Sequence, residues 1–214
     1  TLDNSAATPN AALTTDSGSN TSDSITNSGA ITAPTNTETG ATVEYRVNKD
    51  SAGFSAWSST YSAPATDGTA DGAYLVEVRQ TDVAGNVSSS QSISYTLDSA
   101  APTFNNSTAT VNVNENTQTS TVVYNAQATA NGLVGEVNDT GITYSLSGVD
   151  AGAFNLNTAT GELTFVNVPD FETPADDNGN GTNNYNVTIT ATDGAGNTTD
   201  QAITINVLDQ NVHG

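Results

Sequence analysis

The sequence predicts an all-β chain, built as two tandem antiparallel Greek-key β-sandwiches over residues 1–98 and 99–214. Three observations predict it. Hydrophobic residues make up 35% and charged residues only 12% of 214 positions, and Ser, Thr and Asn fill much of the rest. Such short polar side chains compete for backbone hydrogen bonds and disfavour long helices. Apolar residues alternate with period two, as in half-buried strands. A repeat then sets the number of modules. Leu-Asp occurs at Leu2-Asp3, Leu97-Asp98 and Leu208-Asp209. The last two copies follow Thr81-Asp82-Val83-Ala84-Gly85-Asn86 and Thr192-Asp193-Gly194-Ala195-Gly196-Asn197, each with 16 residues from Asp to Asp.

The strands follow in order. Val43, Tyr45 and Val47 face one way against Thr42, Glu44 and Arg46. Tyr74, Val76 and Val78 repeat the pattern, and so do Ile93, Tyr95 and Leu97. Asp98 to Phe104 reads as a linker that Pro102 stiffens. Beyond it, strands are expected near 110–113, 120–126, 141–147 and 162–166. Tyr185, Val187, Ile189 and Ala191 give the next, then Ile203, Ile205 and Val207. The two modules do not superpose in phase, because the repeat offset aligns Ile93 with Thr204 rather than Ile203. A one-residue slip turns the faces over, so the modules read as related architectures from different families.

Net charge is −20, and its distribution is uneven. All three bases (Arg46, Lys49, Arg79) precede the linker, whereas residues 102–214 carry 12 acids and no Lys or Arg. Such a module repels itself unless its acids are dispersed in water or an external cation neutralises them. Oxygen-rich sites without thiols select hard cations, above all calcium. Three cations cannot neutralise many phosphates, which disfavours nucleic-acid binding. No apolar run approaches the roughly 18 residues that cross a bilayer. With the only His at position 213 and no Cys, no Ser-His-Asp set or thiol nucleophile can be built, so no enzyme is expected.

Ile142-Thr143-Tyr144-Ser145-Leu146, Phe154-Asn155-Leu156 and Thr160-Gly161-Glu162-Leu163 follow in order along the second module, and on these motifs it resembles a cadherin domain. The resemblance extends to the acidic motifs Asn114-Glu115-Asn116, Asp170-Phe171-Glu172, Asp193 and Asp209-Gln210-Asn211. The family's Asp-x-Asp between its second and third strands is missing, with Asn138-Asp139 nearest. The first module carries Asp16-Ser17-Gly18, Asp23-Ser24-Ile25-Thr26-Asn27, Gly40-Ala41-Thr42-Val43-Glu44-Tyr45 and the Asp-x-Ala-Gly-Asn loop. On these residues it is similar to the bacterial Ig-like repeats of giant RTX-type adhesins.

These resemblances imply a secreted or surface-bound bacterial adhesin segment, monomeric, that extends a fibre stiffened by Ca2+ and supports adhesion or biofilm formation. Its partners would be neighbouring modules of the same adhesin. The alternative is a module that recognises a carbohydrate or a surface protein. The implied calcium ligands form three groups: Glu115, Asp170, Glu172, Asp209 and Asn211 at one end of the second module; Asp139 and Asp193 at its other end, facing Asp98; and Asp82 with Asp16 or Asp23 in the first module. Asp176 to Gly181 resembles the start of an EF-hand loop, but position 12 is Val187 instead of a bidentate Glu. Trp57 is read as core or strand-edge packing rather than a sugar platform.

Overall fold

A computed structural model of the chain describes residues 3–130, 141–176 and 182–210. It divides into two units, the first built on Thr1–Ala100 and the second starting at Ala101. Both units are β-sandwiches.

In the first module, β1 (Ile25–Thr26), β2 (Thr42–Lys49), β3 (Gly72–Thr81) and β4 (Gln91–Leu97) form a sheet of order β1-β4-β3-β2. The β1–β4 pair is parallel; the other pairs are antiparallel. The opposing layer is thinner, made of chain segments joined by bridges Asn10↔Thr35 and Leu13↔Ile31. Ala11, Leu13 and Ile31 from this layer meet Val76, Val78, Ile93, Tyr95 and Leu97 from the sheet. The expected alternation is therefore the buried face. The opposite face carries the charges: Glu44 stands across from Arg79 and Arg46 across from Glu77, each pair in a salt bridge. Trp57 lies over both guanidinium groups, 4.6 Å from Arg46 and 4.0 Å from Arg79. Its segment bridges β2 at Tyr45↔Ser58 and Asn48↔Phe54, so Trp57 packs at a strand edge.

The second module has a four-stranded sheet of order β6-β13-β12-β9 and a three-stranded one of order β10-β11-β7, with a short β5–β8 pair. The strands are β5 (Thr103–Phe104), β6 (Thr108–Asn114), β7 (Tyr124–Asn125), β8 (Ala128–Thr129), β9 (Thr143–Ser147), β10 (Phe154–Leu156), β11 (Glu162–Phe165), β12 (Asn184–Thr192) and β13 (Thr198–Leu208). Between the sheets, Phe154, Phe165 and Tyr185 form a cluster of rings with centroids 4.6 to 5.7 Å apart. Leu163, Ile189, Ile203 and Ile205 complete the core. The strand expected over 120–126 is shorter than predicted. Thr121 turns back on Gln118, Val122 is exposed, and only Tyr124–Asn125 pairs. Gly161 explains the Thr-Gly of the motif. Its φ is +75°, and a Cβ there would meet the Ala126 carbonyl oxygen at 2.3 Å.

The one-residue slip between modules has a visible cause. In the second module the β12–β13 register is constant from Thr192↔Thr198 to Asn184↔Asn206. In the first, Thr81 pairs with Val87 and Ser88 N–H bonds Gln80 O, yet Val78 pairs with Gln91. Ser89 and Ser90 thus oppose Arg79 alone, a β-bulge. Downstream of it Leu97 is fully buried, whereas its counterpart Leu208 is 42% exposed.

Candidate metal centre

The far end of the second module is assembled by register. Because β6 runs parallel to β13 with Asn114 opposite Leu208, Glu115 and Asp209 leave the sheet side by side. Glu115 N–H donates to Leu208 O at 3.0 Å, and Glu115 Oε1 accepts from Gln210 N–H at 2.7 Å. The chain after β11 is strapped across the same end. Asn116 N–H bonds Pro169 O at 2.9 Å, and Phe171 N–H bonds Glu115 Oε2 at 3.3 Å. Asp170 Oδ1 accepts from the N–H groups of Glu172 (3.0 Å) and Thr173 (3.1 Å), which bends the segment. The bend brings Glu172 back, so that oxygens of Glu115, Glu172 and Asp209 lie within 4.8 Å of one another.

These groups fit a calcium ion. Two oxygens on one calcium, each about 2.3–2.6 Å from it, lie up to about 5 Å apart. Behind them Asn183 is buried, and its Oδ1 accepts no hydrogen bond among the described residues although its Nδ2 donates to Phe171 O at 2.8 Å. No Lys or Arg occurs in this module to neutralise the acids. Calcium would supply the missing charge, held by Glu115, Glu172 and Asp209, with Asp170 shaping the loop.

The charges already act on one another. The backbone N–H of Glu172 pulls its carboxyl down, but desolvation and the charges of Glu115, Asp209 and Asp170 together outweigh it and leave the pKa raised. A carboxyl raised in the folded state binds protons more tightly there than when unfolded. Stability therefore rises as pH falls through the folded value toward the ordinary Glu range. In the first module the shifted acids go the other way. Asp82 is lowered chiefly by its hydrogen bond from Asn86, Asp50 by Lys49 and Asp67 by Thr69. Their contribution is lost on acidification. In chelator, lowering pH from 7 to 5 should stabilise the second module and not the first. Trp57 is the only Trp and reports the first module alone, while circular dichroism follows both. A second transition that falls in step with the first would contradict this.

The other predicted acids are distributed as follows. Asp193 is buried at the opposite end of β12, about 27 Å from the Glu115 end at 3.3–3.4 Å per residue. Asp139 and Asn211 lie outside the described residues, as do His213 and the EF-hand-like stretch beyond Asp176. Asp82 does not meet Asp16 or Asp23, contrary to the sequence expectation. It follows the last residue of β3, whereas β1 sits beside Thr96 and Leu97, which pair with the first residues of β3. The length of β3 separates them. Asp82 instead gathers with Asp3 and Glu38, carboxylate oxygens within 4.8 Å of one another. Its own oxygens accept from Asn86 N–H at 2.8 Å and Asn86 Nδ2 at 2.7 Å. The recurrent Asp-x-Ala-Gly-Asn loop is thus a side-chain-closed turn in the first module, with positive φ at Gly85 and also at Gly196 of the second copy. Asp3 and Glu38 were not singled out as ligands, although the recurrent Leu-Asp pair pointed to Asp3. Asp16 and Asp98 share the other end of the first module. Asp98 N–H bonds Thr26 O, and the Thr26 hydroxyl bonds Thr15 O. Asp16 Oδ2 accepts from Ser24 N–H at 2.9 Å, while its buried Oδ1 accepts nothing among the described residues. Asp23 closes its own turn on Ile25 N–H.

Two family models match the chain. Residues 3–99 match the bacterial Ig-like domain, and residues 109–208 match the cadherin domain. No curated protein matches the chain. Among solved structures, the human Desmocollin-1 ectodomain is similar over 66% of this chain and 27% of that one, at 16% identity and TM-score 0.43. Drosophila N-cadherin EC1-3 is similar over 94% and 64%, at 18% identity and TM-score 0.44. Mouse Cadherin-23 EC22-24 is similar over 94% and 65%, at 19% identity and TM-score 0.45. The chain spans less than two thirds of each of these structures. It carries a bacterial Ig-like domain followed by a cadherin domain.

Proposed function

We propose that the chain is an extender segment of a bacterial surface adhesin of the RTX kind, whose cadherin domain is stiffened by calcium and which supports cell adhesion or biofilm formation. Cadherin and bacterial Ig-like domains point to an extracellular module of adhesion type, and no described helix is long and apolar enough to cross a membrane. Domains of these kinds are typically non-enzymatic. The observation that carries the calcium reading is the convergence of Glu115, Glu172 and Asp209 in a domain without a basic side chain. Like charges held this close favour any divalent cation that binds only the folded form. In this reading the ion ties the strand exits at Glu115 and Asp209 to the loop that carries Glu172. The partners are the neighbouring modules of the same fibre.

Isothermal titration calorimetry at fixed ionic strength tests it. Wild type should bind calcium with Kd of roughly 0.1–1 mM, the range of extracellular modules. The double variant Glu115→Gln, Asp209→Asn should lose that heat while keeping its circular dichroism spectrum. Equal binding by both proteins would place any calcium elsewhere and overturn the assignment.

A further inference from the structure

We propose that the cadherin domain also carries a docking cleft for a lysine or arginine side chain of a partner protein. The cleft has a volume of about 280 Å³ and is lined by Val149, Asp150, Gly152, Phe165, Asp170 and Tyr185 among others. It opens between the 3-10 turn Ala151–Ala153 and the chain that follows β11. Its lip is apolar and wet, with Val149 63% and Val168 44% exposed. Its floor is aromatic: the rings of Phe165 and Tyr185 stand edge to face, with centroids 5.6 Å apart.

Carboxylates surround that floor. Asp150 is buried and anchors the start of β12 by accepting from Asn186 N–H at 2.6 Å. Burial pushes the Tyr185 hydroxyl up against the hydrogen bond it accepts from Ala175 N–H, and the charges of Asp176, Asp150 and Asp170 add to the rise. An apolar wall with carboxylates at its base suits a side chain with an aliphatic stem and a cationic head. A guanidinium or ammonium beside the rings gains a further electrostatic attraction.

The charge balance says where that cation comes from. The domain holds no Lys or Arg, and the chain's three bases are already taken. Arg46 is paired with Glu77, Arg79 with Glu44 and Lys49 with Asp50. The cation therefore comes from outside this domain, and an exposed basic side chain of a partner protein supplies it.

Gly152 allows a clean test. A Cβ built there meets no heavy atom within 4 Å, so Gly152→Leu can obstruct the cleft without a clash. The 15N-labelled chain, held at saturating calcium so that the Glu115 end is occupied, is titrated with acetyl-Gly-Lys-Gly-amide. The neutral control is acetyl-Gly-norleucine-Gly-amide. Amide shifts should saturate at Gly152, Ala153 and Asn186 with a Kd on the order of 1–10 mM, as befits one side chain in a shallow cleft. They should weaken at least about tenfold with the neutral peptide, a loss of about 1.4 kcal/mol. Gly152→Leu should abolish them at an unchanged melting temperature. Shifts spread over the acidic surface without saturation overturn the proposal, and so does equal binding by the neutral peptide. Binding by Gly152→Leu at wild-type strength, or no shift at all, does the same.

Discussion

Calcium at a hundredfold excess over its Kd should raise the melting temperature of the cadherin domain by about 10–20 °C. Binding to the folded form alone contributes RT ln(1 + [L]/Kd), about 2.7 kcal/mol at that excess. In a domain of this size each kcal/mol moves the midpoint by about 4–8 °C. The rise should come with calcium and not with NaCl of equal ionic strength. Screening weakens repulsion among exposed acids everywhere, whereas an ion held by Glu115, Glu172 and Asp209 acts at one end. Glu172→Gln separates the two effects by sign. In chelator it removes a charge that Glu115, Asp209 and Asp170 oppose, so the variant should melt above wild type. In calcium it has lost a ligand, so it should melt below wild type. Scanning calorimetry of both proteins in both conditions checks the crossing. If wild type melts identically with and without calcium, the acids are solvated charges and the metal reading fails.

The parts legible in the sequence are those set by local periodicity. Val76, Val78, Ile93, Tyr95, Tyr185, Ile189 and Ile205 alternate in the chain and are buried in the structure, because a strand with one covered face needs that pattern. The gathering of Glu115, Glu172 and Asp209 was implied by the cadherin resemblance alone; the β6–β13 register is what puts the strand exits at Glu115 and Asp209 side by side. The phase slip at Ile93 was visible too, but not its origin; Ser88-Ser89-Ser90 carries no periodicity from which a bulge can be read. The expected meeting of Asp82 with Asp16 or Asp23 failed for a related reason. An acid at a strand terminus belongs to whichever loops share that end, and this is decided by the register of β1 against β4 rather than by motif content. Asp3 and Glu38 reach Asp82 from an irregular layer whose residues show no alternation, so composition and spacing could not have paired them.

A buried side chain of β3 helps tie that irregular layer to the sheet, and Gln80→Ala should lower the stability of the Ig-like module by about 3–4 kcal/mol. Gln80 is fully buried on β3. Its Nε2 donates to Ala7 O at 2.6 Å and to Asn36 O at 3.2 Å, and its Oε1 accepts from Glu38 N–H at 3.0 Å. Two loops that form no strand of their own, around Ala7 and Asn36, are thereby bound to β3 through this amide, while Gln91 of β4 holds Ala11 of the same layer. Truncation leaves two carbonyls and one N–H without partners, and each buried group left unsatisfied costs about 1–3 kcal/mol. Partial access to water at the loosened edge brings the sum below the simple total. Gln80→Glu should be no better. It keeps an acceptor for Glu38 N–H but turns the amide donor into a carboxylate oxygen facing two carbonyls, near the acids Glu38 and Asp82. Because Trp57 reports this module alone, urea titration followed by its fluorescence gives the change directly, with Val83→Ala at a 79% exposed site expected within about 0.5 kcal/mol of wild type. A loss below about 1 kcal/mol for Gln80→Ala would mean that the unsatisfied groups find water freely. The layer would then be held by Ala11, Leu13 and Ile31 packing on the sheet, and the amide would be incidental to it.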